Sequence, residues 1–238
     1  MTDHLVRTSD ATATGAECDP ADAVTKTLLA YGAIAGPIYV AVSAAQTLTR
    51  DGFDLSKHAW SLLSNGPLGW IQVTNFVVTG LMVVAGAVGL RRALRPGRAS
   101  TWAPRLVGVF GTAMVAAGLF KADPALGFPP GTDQDAAEVS WHGMLHFTAA
   151  GIGFGCLIAA CFVLARRYRV DGDRGWDRYS RATGTLFLLG FVAVGAGAGQ
   201  PAANLAFTAT VVLVLAWLSA VAVRCYRQVA AHRTTTAR

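Results

Sequence analysis

Apolar residues fill this chain in long unbroken blocks, not in strand-like alternation. Thr27–Thr49 carries no charge between Lys26 and Arg50, and Pro37 is expected to kink it. Trp70–Leu90 is also uncharged, with Gln72, Thr74 and Asn75 near its start. Leu106–Phe120 is shorter, but Arg105 and Lys121 can snorkel from its ends and Trp102 can anchor one of them. Gly143–Ala165 holds a single ionisable side chain, His146. Ala182–Val223 has no charge and is about twice the ~20 residues that cross a bilayer, so it must be two helices. GAGAGQPAAN, Gly195–Asn204, is the place for the turn between them. The pattern predicts an all-α bundle of six transmembrane helices joined by two substantial polar loops.

The expected organisation has three parts. Residues 1–26 are polar, acidic and rich in Thr, Ala and Asp, without the basic start and short apolar core of a cleaved leader; they are expected to be a disordered tail. Residues 27–223 form the membrane domain, and residues 224–238 a basic tail. Gly32 and Gly36, Gly151 and Gly155, and Gly195 and Gly199 recur at four-residue spacing, the pattern by which helix backbones approach closely in lipid.

Composition supports the membrane reading. The chain of 238 residues is 53% hydrophobic and 14% charged, against about 25% charged in soluble domains. The formal net charge of +6 resides largely in arginines that flank the apolar blocks. Arg91, Arg92, Arg95, Arg98 and Arg105 fill one link. Arg166, Arg167, Arg169, Arg174, Arg178 and Arg181 outnumber three aspartates in another, and Arg224, Arg227, Arg233 and Arg238 follow the last block. That distribution is a topology signal and not a nucleic-acid surface; it puts these links and both termini on the cytoplasmic side of a plasma membrane. The loops Arg50–Gly69 and Lys121–Trp141 then face out. None of the four cysteines, Cys18, Cys156, Cys161 and Cys225, lies in either loop, so no disulfide framework is implied there; they are read as small apolar side chains.

The string GPIYVAVSAAQTLTRDGFDLSKHAWSLLSNGPLGWIQVTNFVVTG, followed by AAGLFKADPALGFPPG and GMLHFTAAGIGFG, resembles the bacterial membrane family known as domain of unknown function 998. The likeness runs from about Leu29 to Leu218. It is carried by Arg-x-Gly-Phe-Asp, Ser61 and Ser64 before Gly66, Asp123-Pro124 with Gly-Phe-Pro-Pro-Gly, and Gly143-x-x-His146. It implies a multi-helix membrane fold and no particular activity.

The candidate chemistry lies in the two polar loops. Asp54 is a suitable N-cap for a short amphipathic helix closed by Asn65-Gly66-Pro67, its Leu55, Trp60, Leu62 and Leu63 lying at the membrane surface. On such a helix Asp54, His58 and Ser61 share a face, which admits a nucleophile reading, although one straight helix spaces them too far apart for a tight triad. The second loop carries Asp123, Asp133, Asp135 and Glu138, a turn at Gly127–Gly131, and His142 and His146 one helical turn apart. A histidine inside the membrane calls for a partner, and Asp123 and Asp54 are the candidates.

Three uses of this cluster fit the residue types. His146 can be a neutral structural group while the carboxylates pair with Arg50 and Lys57. It can form an acid–base pair with Asp123 or Asp54. It can join His142, with His58 or an aspartate, on zinc. Otherwise no cofactor is expected, and there is no nucleotide or haem fingerprint. Arg50, His58, Ser61, Asn75 and His142 are expected to line an outward-facing polar pocket, with Asn204 closing it from the last helix pair. Its ligand is a small amphipathic or lipid-like molecule; the alternative is an intramembrane acid–base or metal-assisted enzyme acting on a lipid or isoprenoid.

Overall fold

The computed structural model describes residues 20–94, 97, 99–134, 139–197 and 199–236. The expected disordered segment therefore lies outside the described residues up to position 19, as do Cys18, Arg95, Arg98, Asp135, Glu138 and Arg238. Six helices account for most of the rest: α1 Pro20–Thr49, α2 Gly69–Ala93, α3 Ala99–Leu119, α4 Trp141–Val170, α5 Arg174–Ala196 and α6 Pro201–Thr236. All six are long and apolar enough to cross a membrane.

Two boundaries differ from expectation. α1 begins at Pro20, ahead of Thr27. Proline at the first helical position has no N–H to lose, and Asp22 in the first turn favours the positive end of the helix dipole. α6 continues past Val223 to Thr236, because nothing after Pro201 is a glycine or proline that would stop it. α1 also runs unbroken across Pro37.

Each helix packs on its neighbours in sequence, and α6 packs back on α1, closing a ring. Close backbone approach sets the α1–α2 spacing. A Cβ built on Gly86 would come within 2.6 Å of the Gly32 Cα, and one on Gly36 within 2.9 Å of the Leu215 carbonyl on α6. The same motif has no such role on α4 and α5, where Cβ atoms on Gly151, Gly155 and Gly195 would meet nothing within 4 Å. Polar side chains join α1 to α2 as well. Gln72 accepts from Gln46 at 2.8 Å, and Asn75 donates to Ser43 Oγ and to the Tyr39 carbonyl, both at 3.2 Å. Such bonds in lipid contribute about 0.6 kcal/mol each on average.

The two ends of the ring differ. At the arginine end, Asp173 caps α5 by accepting from Trp176 N–H and pairs with Arg224 of α6 at 2.7 Å. The Arg224 guanidinium lies 4.9 Å from the ring centres of both Tyr168 and Trp176. The opposite end carries the two polar loops and the α5–α6 turn, whose Gly199 has φ +79°. Cys156, Cys161 and Cys225 are free thiols, the last two buried.

The two glycine classes should separate cleanly in a thermal melt of detergent-purified protein. Gly86→Leu is expected to lower stability by about 1–3 kcal/mol through overpacking, whereas Gly155→Leu should change it by less than about 0.5 kcal/mol.

Candidate functional site

The first polar loop does not form the expected surface helix. The Asp54 carboxylate accepts from the Ser56 N–H at 2.9 Å and its hydroxyl at 2.7 Å, a local Asx turn that reverses the chain. Only a short 3-10 helix, Trp60–Ser64, follows. It buries Trp60, Leu62 and Leu63 in the bundle and not at the lipid surface. Two side chains hold it there. Trp60 Nε1 donates to Thr47 Oγ1 at 3.0 Å, and the Arg50 guanidinium donates to the carbonyls of Leu63 at 3.1 Å and Asn65 at 2.6 Å. Asp54, His58 and Ser61 consequently share no helix face, and the nucleophile arrangement has no geometric basis.

The loops instead form a latched cap. His58 is buried, and its ring donates from Nε2 to the Leu126 carbonyl while Nδ1 accepts the Asp54 N–H, both at 2.9 Å. One donor and one acceptor are what a neutral imidazole offers. Asn65 donates to the Ala122 carbonyl at 3.0 Å, and Asn204 of α6 to the Leu55 carbonyl at 2.7 Å. Phe128 is fully buried between these segments, 5.1 Å from the Phe53 ring and 5.3 Å from the Arg50 guanidinium. Arg50 thus closes the cap with carbonyls and a ring face, and among the described residues neither Asp54 nor Asp123 ion-pairs with Arg50 or Lys57.

Asp123 and His146 serve each other's helices. Asp123, just after α3, accepts from the Ser140 N–H at 2.8 Å and the Ser140 hydroxyl at 2.5 Å. Ser140 is the N-cap of α4 and accepts from the Gly143 N–H at 3.1 Å. A carboxylate here also faces the positive end of the α4 dipole. A Cβ on Gly143 would fall on the Asp123 carboxylate, which explains the glycine three residues before His146. His146 in turn reaches the end of α3. Its Nδ1 lies 3.0 Å from the Ala117 carbonyl and 2.9 Å from that of Phe120, so Nδ1 carries the proton and donates to both. Nε2 is left as an acceptor.

Beneath the cap is a cavity of about 480 Å3, within the ~300–1,000 Å3 typical of small-molecule sites. All six helices contribute to it. Its walls are mostly apolar, with Phe110, Phe154, Phe187, Phe191 and Phe207 forming much of them. Phe154 packs edge-on against Phe187, Phe191 and Phe207, with ring centres 5.2–5.7 Å apart. Most of the polar lining, Lys57, Ser61, Asp123, His146 and Asn204, gathers near the cap, with Tyr39 of α1 and Thr208 of α6 besides.

Of the residues singled out from sequence, Asp123, His146, Ser61 and Asn204 line this cavity. Asp54, Arg50 and His58 belong to the cap, and Asn75 to the α1–α2 network. His142 is exposed and stacks on Trp141, away from buried His146. No group of three His, Cys, Asp or Glu side chains suited to a metal occurs among the described residues. Sequence reasoning missed the aromatic wall and Ser140. Within an unbroken apolar block nothing marks which face looks inward, although Phe187 and Phe191 stand one turn apart.

The fold and cavity define a polytopic, all-helical membrane protein with an internal apolar chamber. Residues 33–224 match the family described as protein of unknown function (DUF998), and the chain belongs to that family. No curated protein and no solved structure matches the chain.

Two predictions test the site. Gly143→Ala should destabilise the protein by about 1–3 kcal/mol, and much of that loss should vanish when Asp123 is already alanine; chemical-denaturation melts of the two single variants and the double variant measure the coupling. The Ser56 hydrogen bonds hold the Asp54 carboxyl below the usual carboxylate range. Its contribution is therefore present above the unfolded value of about 3.9 and fades as pH falls through the depressed one. The stability difference between wild type and Ser56→Ala should accordingly be larger at neutral pH than in acid.

Proposed function

We propose that the protein binds a small amphipathic molecule, its apolar tail in the aromatic chamber and its polar head beneath the cap. The observation that carries this reading is His146. It is 3% exposed, its Nδ1 is committed to α3, and its Nε2 is the ring nitrogen left for the chamber that it lines. A neutral imidazole with one nitrogen committed as donor leaves the other to accept, which selects a head bearing an O–H or N–H donor. Ser61 and Asn204 add polar atoms nearby, and Lys57 stands at the rim as a cation.

The chamber is not the polar pocket expected from the loops, because those polar groups bond to one another in the cap. Orientation follows from charge. Arg91, Arg92, Arg105, Arg166, Arg167 and Arg174 sit at the end opposite the cap, which the positive-inside rule puts in the cytoplasm. On this reading both termini are cytoplasmic and the cap faces the exterior of a plasma membrane.

An acid–base enzyme in the same chamber is less well supported. Both Asp123 oxygens accept from Ser140, which holds the carboxylate at the start of α4, and Asp54 does not line the chamber; the hydrogen bonds of His146 go to backbone carbonyls and not to a carboxylate. Binding without chemistry accounts for the arrangement.

Gentle purification followed by solvent extraction and mass spectrometry should recover a single-tailed amphiphile at a fixed ratio to the protein. Ala150→Trp, which fills the chamber from α4, should reduce the recovered amount at least tenfold while the protein still folds. Equal recovery from both proteins would place the lipid elsewhere on the surface and reject the chamber as its site.

A further inference from the structure

The loops cap the chamber at one end, where Lys57 stands at its rim. Four hydrogen bonds and the buried Phe128 latch the cap across its end, joining both loops to each other and to α6. The side of the ring between α4 and α5 is different. Phe147 lines the chamber and is yet 62% exposed. Phe147, Gly151 and Phe154 follow one face of α4 at one-turn intervals, and the first and last of them line the chamber. Across from them on α5, Phe191 and Gly195 both line it, and Gly195 is exposed. A Cβ on Gly151 or Gly195 would meet nothing within 4 Å. Toward the arginine end the same two helices do touch: a Cβ on Gly184 would come within 2.8 Å of the Cys161 Cβ. The pair is therefore in contact toward the arginine end, through Phe154 and Phe191 as well, and leaves open space beside Gly151 and Gly195 toward the capped end.

We infer that the ligand is a membrane-resident amphiphile with a single alkyl or isoprenoid tail, and that it passes sideways from the lipid into the chamber between α4 and α5. The inference rests on the chamber being the binding site. The glycines leave a gap through which a chain can pass, and the aromatic side chains on either side of it continue the apolar path inward. A chamber of about 480 Å3 suits one tail and its head better than a whole two-tailed phospholipid. The head need not cross the membrane core, because the gap lies near the capped end, where His146 and Lys57 meet it.

The test uses the full chain in nanodiscs preloaded with a diazirine-bearing palmitate, with photolabelling of chamber residues followed over time. The double variant Gly151→Trp with Gly195→Trp fills the gap. Gly155→Trp adds the same bulk to α4 at a position that does not line the chamber, and His58→Ala loosens the cap. Lateral passage predicts labelling at least tenfold slower in the double variant, and near the wild-type rate in Gly155→Trp and His58→Ala. Should the tryptophan pair fail to accumulate, Gly151→Leu with Gly195→Leu makes the same comparison with less bulk. Wild-type labelling rates in the filled-gap variant, or faster labelling only when the cap is loosened, would overturn the lateral route while leaving the chamber as a binding site. Absence of chamber labelling in the wild type would overturn both.

Discussion

The turn between α3 and α4 is held by an exchange of caps, and the chamber depends on it. A helix end leaves backbone groups without partners, and inside a membrane no water can supply them. Here each helix borrows from the other side of the connection. Asp123 and Ser140 satisfy the start of α4, while His146 Nδ1 satisfies the last carbonyls of α3. This fixes His146 in one tautomer and one orientation. The remaining ring nitrogen becomes a polar point on a mostly apolar chamber as a consequence of building the hairpin.

The cap shows the same economy of polar groups. His58, Asn65, Arg50 and Asn204 each satisfy a backbone carbonyl of a loop rather than a charged partner. An irregular chain close to the membrane needs such partners, and supplying them from side chains ties the described parts of the loops across the end of the ring. The apolar chamber beneath survives because the polar groups above it are bonded to one another. On its flank, Gly151 and Gly195 contribute by leaving space, whereas Gly32, Gly36 and Gly86 remove it.

The helices were legible in the sequence because long uncharged blocks bounded by arginine have few alternatives. The arginine-poor end and the turn in the last block could be read for the same reason. The loops were harder. The spacing of Asp54, His58 and Ser61 suggested a helix, but Ser56 offered Asp54 a closer pair of donors and the chain turned. His146 and Asp123 stood out because ionisable groups are costly near lipid, and both do line the chamber. Their partners were not visible, since Ser140 and the carbonyls of Ala117 and Phe120 are ordinary residues whose roles arise only when α3 and α4 meet. The chamber itself left no mark in sequence, because Phe154, Phe187 and Phe207 look like any other residues of an apolar span.

The most direct measurement is nitrogen NMR of the His146 ring in protein reconstituted in nanodiscs, before and after addition of a long-chain alcohol. The account predicts a neutral ring with its proton on Nδ1, an Nδ1 signal unmoved by the alcohol, and an Nε2 signal that shifts as its lone pair accepts the hydroxyl. A proton on Nε2, or an Nε2 resonance indifferent to the alcohol, would contradict it.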